Sequence, residues 1–174
     1  MKKKNKGFSL LEIILVLAVA AGFIIGVFML LSKSQMNSKA TQEARNILTL
    51  QSEIQRLYQG QPNYNGLSTS LMIQAKIVPE SMLANPGSTS SDILNSFGGK
   101  IIPGIVTSGF NLSLYSIPTE ACAKIVPAVA NTFHTIVINN ATVKNTNGGI
   151  NMDLANAIAQ CNKQDPSILL LYSK

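Results

Sequence analysis

The chain has no tryptophan, one histidine and two cysteines in 174 residues. These numbers are too small for a zinc cluster, and a single histidine makes a histidine-based catalytic centre improbable. Charged residues make up only 13% of the chain and hydrophobic residues 46%, which excludes a disordered polar tail. The composition therefore argues against a metal site and a histidine-based catalytic centre, and we expect no cofactor and no enzymatic activity.

Excess positive charge is confined to one end. The formal net charge is +6, and Lys2, Lys3, Lys4 and Lys6 supply four of these charges. The remaining chain carries ten basic and eight acidic residues, a balance of +2. Nucleic-acid binding needs basic side chains clustered on a folded face, so no specific nucleic-acid partner is predicted.

A long apolar run follows the basic N-terminus. From Ile13 to Leu31 no residue is charged, and between Phe8 and Ile13 only Ser9 and Glu12 are polar. About 20 apolar residues in a helix span the roughly 30 Å hydrocarbon core of a bilayer. The run predicts a membrane helix whose basic flank stays cytoplasmic while the rest of the chain is exported.

Three interpretations of this helix compete. It could be a secretory signal peptide, because Ala18-Val19-Ala20 matches a cleavage pattern, although the apolar run continues to Leu31. It could be a plain membrane anchor in which Glu12 is accidental. In the third interpretation Glu12 is functional, because an ionisable group within a membrane helix is costly and needs a partner.

The residues Lys6 to Glu12, LysGlyPheSerLeuLeuGlu, resemble the processing motif of type IV prepilins. The resemblance implies that a prepilin peptidase cuts after Gly7 and that the new N-terminal residue, Phe8, is N-methylated. Glu12 becomes the fifth mature residue, and its carboxylate can pair with the Phe8 ammonium of a neighbouring subunit. Implied partners are identical subunits, that peptidase, an assembly ATPase and platform proteins. The implied location is the bacterial inner membrane and then an extracellular filament.

Small residues also recur along the apolar run. Ala18, Gly22 and Gly26 have four-residue spacing, and Gly22 to Gly26 is a G-x-x-x-G pattern that permits close helix packing in lipid. Chance in an Ala/Gly-rich segment is the alternative. Many pilins have a proline at the twenty-second mature position, where this chain has Met29.

The helix is predicted to continue from Phe8 to about Tyr58. Apolar residues recur at helical spacing, and Gly60 marks the end. They are Met36, Ala40, Ala44, Ile47, Ile54 and Leu57, whereas Lys39, Glu43, Arg45 and Gln51 are expected largely off that face. The predicted domains are a leader at 1–7, a stalk helix at 8–58 with its membrane or filament-core part at 8–31, and a globular head at 59–174.

The head alternates helical and strand patterns. Helices are predicted at 68–76, 119–131 and 152–161, and strands at 100–106, 110–115, 133–138 and 168–172, with polar loops at 59–65, 85–92 and 139–149. The last strand is nearly all apolar and is expected to be either central or covered on one face by a helix. The predicted fold class is α+β, with the long N-terminal helix packed on a small antiparallel sheet.

The resemblance extends into the head. Val78 to Met82, Phe97-Gly98-Gly99 and Pro118 to Cys122 are similar in order to class b type IV pilins, including those of conjugative thin pili. The short leader and Phe8 are more similar to class a. Cys122 and Cys161 lie on the exported side, where a disulfide is favoured over two buried thiols. In pilins such a bond closes the C-terminal D-region.

Structural assembly is thus the expected function, in a filament used for adhesion, conjugation or DNA uptake. A minor pilin or type II secretion pseudopilin is the nearest alternative, followed by a membrane-tethered periplasmic binding module. His134 is expected to be an ordinary strand histidine. Asn140 begins a formal glycosylation acceptor, Asn140-Ala141-Thr142, which identifies no function by itself.

Overall fold

The computed structural model describes residues 10–107, 109–163 and 167–174. The chain forms two compact units, Met1–Met36 and Asn37–Lys174, here called the N-terminal unit and the C-terminal unit. Gly7 and Phe8, with the predicted leader, lie outside the described residues.

Four helices, one short 3-10 turn and six strands make up the described structure. In chain order they are α1 (Leu10–Leu57), α2 (Thr69–Gln74), the 3-10 turn (Glu80–Met82), β1 (Ile93–Leu94), β2 (Lys100–Val106), β3 (Gly109–Ile117), α3 (Thr119–Val129), β4 (Thr135–Ile138), β5 (Ala141–Asn145), α4 (Leu154–Lys163) and β6 (Ser167–Ser173).

The part of α1 in the C-terminal unit buries one stripe of side chains. The stripe follows spacings of three and four residues, as expected for one face of a helix, and consists of Ala40, Glu43, Ala44, Ile47, Leu50, Gln51 and Ile54. The expectation that Glu43 and Gln51 lie off this face is wrong, because each is three or four residues from buried apolar neighbours. Leu57 remains 39% exposed, so the buried stripe ends at Ile54.

The strands form one antiparallel sheet in the order β1-β2-β3-β6-β4-β5. Strand β6 is central, which is one of the two arrangements expected from its apolar sequence, with β3 on one side and β4 on the other. Leu171 pairs with Leu112 on β3 and with Ile136 on β4, and all three side chains are buried. This core face receives the buried stripe of α1, which confirms the predicted α+β fold.

One predicted loop is wrong in part. Residues 141–145 form β5, which pairs with β4 as a hairpin. Asn139 and Asn140 both have positive φ, 48° and 66°, and they make the two-residue turn that closes on the Ile138–Ala141 pair. Asparagine tolerates this conformation, which suits the twist of hairpin strands. The strand had been missed because only Val143 among its residues is buried.

The other predicted elements differ mainly at their ends. Ser68 caps α2 by accepting a hydrogen bond from the Leu71 amide at 3.2 Å. Pro127 lies inside α3, which continues to Val129. The 3-10 turn and the two-residue strand β1 were not predicted.

Candidate assembly site

The N-terminal unit consists, in its described part, of helix α1 up to Met36. Its large apolar side chains are exposed, with exposed fractions that range from 48% for Ile13 to 78% for Leu10. An 18-residue window of this helix is apolar enough to cross a membrane by length and composition. So much contiguous apolar surface marks a membrane or protein interface, because soluble monomers rarely expose it.

Glu12 lies in the first turn of α1. A carboxylate there complements the positive end of the helix dipole. No described residue forms an ion pair with it. Its predicted partner, the Phe8 ammonium, belongs to the residues outside the description, so the pairing stays a prediction.

Ala18, Gly22 and Gly26 lie on one exposed face of the N-terminal unit. A Cβ added at Gly22 or Gly26 would meet no atom within 4 Å. Packing within this chain therefore does not require either glycine, although each costs about 0.5–1 kcal/mol of helix stability relative to alanine. The two glycines form the floor of a shallow groove walled by Val19, Phe23, Val27 and Leu30.

Two glutamines of α1 donate hydrogen bonds to the C-terminal end of β6 in the C-terminal unit. The Gln51 amide donates to the Ser173 hydroxyl at 3.1 Å, and both groups are buried. The Gln55 amide donates to the Lys174 carbonyl at 2.7 Å. The two bonds therefore orient the amphipathic part of α1 on the central strand.

Glu43 makes a second polar link from α1. Its Oε2 accepts hydrogen bonds from the Ser96 amide at 2.7 Å and from the Ser96 hydroxyl at 2.8 Å. Burial raises the pKa of Glu43, while the hydrogen bonds from Ser96 and the nearby Asn46 side chain act in the opposite direction, the influence of Asn46 being smaller than that of Ser96. This link was missed in the sequence because its two ends are 53 positions apart.

Cys122 on α3 and Cys161 on α4 form a disulfide with a Cα–Cα distance of 5.9 Å. That distance is within the usual range for the bond. The predicted pairing is confirmed, and the alternative of two buried thiols is excluded. Both cysteines are fully buried, so the disulfide joins α3 and α4 in the interior of the C-terminal unit.

His134 immediately precedes β4, where its amide donates to the Tyr172 carbonyl at 3.1 Å. Burial lowers its pKa, and the charges of Lys174 and Lys144 add to this effect. The Lys144 ammonium in turn donates to the carbonyls of Ala130 and Phe133, which follow α3. Within the described ranges no cluster of three metal-ligating side chains occurs.

Comparisons with known proteins agree with the geometry. The family described as "PilS: PilS N terminal" matches residues 37–173. The chain is also similar to the "Major structural subunit of bundle-forming pilus" of Escherichia coli O127:H6 (strain E2348/69 / EPEC) and of Escherichia coli O111:H-. Each is 29% identical over 128 residues, which is 71% of this chain and 65% of the relative. The matched region thus covers slightly less than two thirds of these relatives.

Solved structures show the same fold. A type IV b pilin from Salmonella typhi superposes with a TM-score of 0.61 at 20% identity, over 77% of this chain and 99% of that one. TcpA, a type IV pilin from Vibrio cholerae El Tor biotype, gives 0.56 at 15% identity, over 79% and 99%.

Proposed function

The chain belongs to the PilS N-terminal family of type IV pilins, and from this membership we propose that it is the structural subunit of a type IV pilus. Its role is assembly, with no catalytic step of its own. The proposal rests on one observation above all: the N-terminal unit exposes a continuous apolar surface, as a membrane-embedded or subunit-packing helix does.

In this proposal the N-terminal unit has two environments in succession. Before assembly, residues 8–31 lie in the inner membrane, and the residues after them are exported. After assembly, the same side chains pack against those of identical subunits. The groove above Gly22 and Gly26 accepts a neighbouring helix, because small residues allow helix backbones to approach closely.

Processing precedes assembly. A prepilin peptidase removes residues 1–7, and Phe8 becomes the methylated N-terminus. Its ammonium then pairs with Glu12 of an adjoining subunit, which sets the axial register of the filament. An assembly ATPase and platform proteins supply the remaining machinery. The C-terminal unit, closed by the Cys122–Cys161 disulfide, forms the filament surface.

Mass spectrometry of the N-terminal peptide tests this proposal. Filaments sheared from cells should contain this chain as the dominant protein, beginning at methylated Phe8. A chain that begins at Met1 or at residue 21 would contradict the processing step. A chain that begins at Phe8 but forms a trace of the sheared mass would indicate a minor pilin or a pseudopilin.

A further inference from the structure

Glu43 differs from every other charged residue that the structure describes, because its side chain is completely buried. Its two carboxyl oxygens have different environments. Oε2 accepts both hydrogen bonds from Ser96, whereas Oε1 is buried without a hydrogen-bond partner. Burying a carboxylate is costly unless its oxygens are paired, so Oε1 is a site of unrelieved cost.

The turn opposite Glu43 is held firmly in place. The Asn95 carbonyl oxygen Oδ1 accepts hydrogen bonds from the amides of Phe97 and Gly99, and its Nδ2 donates to the Tyr115 carbonyl at 2.7 Å. A Cβ at Gly99 would lie 1.9 Å from the Tyr115 oxygen, so the approach is tight. Ser96 is therefore presented to Glu43 by a turn with little freedom to withdraw.

A proton on Oε1 removes the charge of the buried carboxylate without breaking either hydrogen bond to Ser96. The carbonyl oxygen of a neutral carboxylic acid has two lone pairs, so Oε2 can still accept from both Ser96 donors. The negative charge is removed from the buried site at the same time. Protonation thus preserves the link between α1 and the turn and removes the penalty of a buried charge.

Charged groups around this link do not compensate the carboxylate. On α1, Lys39 and Arg45 are exposed. On the side of the turn, the Lys100 ammonium is 2.8 Å from the Asp92 carboxylate, so these two charges pair with each other. Ser96 and Asn95, which belong to the turn itself, are neutral. In the described part of the chain, burial raises the pKa of Glu43 and the neutral groups of Ser96 and Asn46 lower it, with no contribution from a charged group.

We propose that Glu43 is a proton-binding site that stabilises the C-terminal unit as the pH falls. Because burial raises the pKa of Glu43 above its ordinary value of 4.5, the folded chain binds this proton more tightly than the unfolded chain. The stabilisation is fully present below pH 4.5 and is lost as the pH rises through the folded value. The C-terminal unit is therefore expected to become more stable as the pH falls toward 4.5.

The Glu43→Gln variant tests this, because its amide carbonyl can accept both Ser96 bonds and carries no charge. Thermal unfolding of the full chain in detergent is followed by near-ultraviolet circular dichroism from about pH 4 to pH 8. The melting temperature of the wild type relative to the variant should rise with acidification, by up to about 3–5 °C per pH unit. His134 titrates in both proteins, so its contribution cancels in the difference.

The control is Glu53→Gln, which removes an exposed glutamate paired with Arg56 on the same helix. It should leave the pH dependence of the wild type unchanged. If the difference between wild type and Glu43→Gln is constant across pH, the proposal is wrong. Should that variant fail to fold, a 13C NMR titration of the wild-type glutamate carboxyls decides: a Glu43 midpoint above 4.5 supports proton binding, and one at or below 4.5 overturns it.

Discussion

The two units differ in whether they bury their own apolar side chains. The C-terminal unit buries its own, with Ile47, Leu50 and Ile54 of α1 fully covered by the rest of the unit. The N-terminal unit buries none of its described apolar residues, and Leu10 and Phe28 are 78% and 71% exposed. The C-terminal unit covers its apolar residues within a single chain, whereas the N-terminal unit requires lipid or neighbouring subunits to cover its own. Substitutions in the two units should therefore affect different measurements, stability in one and assembly in the other.

The largest effect is expected for Glu12→Val. Leaving one partner of a buried ion pair without the other costs about 3–5 kcal/mol, which exceeds the 1.4 kcal/mol that corresponds to a tenfold change. We expect the variant to insert and to be processed, but sheared filament mass should fall more than tenfold. The melting temperature of the C-terminal unit should not change. Glu53→Gln is the matched control, and normal filament yield from Glu12→Val would refute the register role.

Replacing both cysteines should lower the stability of the C-terminal unit and leave membrane insertion and cleavage intact, which is the reverse of the pattern expected for Glu12→Val. The Cys122→Ser, Cys161→Ser variant opens a connection across 39 positions. Loss of a native disulfide from a small exported domain costs roughly 2–5 kcal/mol, measured here as the free energy of unfolding in urea. Membrane insertion and cleavage should persist, because they depend on the other unit. Reduced wild type should match the variant, and an unchanged urea midpoint in both would contradict a stabilising role.

Gly22→Leu should produce a smaller effect that is again confined to assembly. Within the chain a new side chain at this position meets open space, so the melting temperature should stay constant. In a filament the same side chain would fill the groove that a neighbouring helix needs. Filament mass should fall several-fold, and Gly22→Ala, which adds one methyl group, should lose less. Equal yields from the leucine variant and the wild type would assign the spacing of Ala18, Gly22 and Gly26 to chance.

Local patterns predicted most of the fold, and contacts between distant residues account for what was missed. The length of α1 follows from the helical spacing of its apolar residues and the stop at Gly60, and β2, β3 and β6 follow from local strand patterns. Strand β5 was missed because its partner, not its composition, makes it a strand. Glu43 was expected to lie largely off the apolar face, and its contact with Ser96, 53 positions away, could not be predicted from local sequence.

In the candidate site, the cysteine pairing could be predicted from compartment and resemblance together. Glu12 was recognisable because ionisable residues are rare in membrane segments, and Ala18, Gly22 and Gly26 were recognisable by their four-residue spacing. Their roles concern a second subunit, so the single chain leaves those roles as proposals. The glutamine contacts of Gln51 and Gln55 had no signal in the sequence, since a polar residue near an apolar face has no fixed meaning.

The smallest expected effect concerns pH and lies wholly in the C-terminal unit. Burial and the charges of Lys174 and Lys144 lower the pKa of His134 below 6.5, so the folded chain binds this proton less tightly than the unfolded chain. The contribution to stability is present above pH 6.5 and is lost as the pH falls through that value and the folded one. The pH dependence of this contribution is opposite in sign to the one expected from Glu43.

The His134→Gln variant should therefore be more stable than the wild type at acidic pH, by less than the disulfide contributes. Its filament yield at neutral pH should equal that of the wild type. The melting temperature of the variant minus that of the wild type, followed across pH, isolates this group. Combined with Glu43→Gln, the substitution should remove both slopes and give a flatter profile than either change alone. A difference that does not grow on acidification below pH 6.5 would mean that His134 is solvated as well in the folded chain as in the unfolded one.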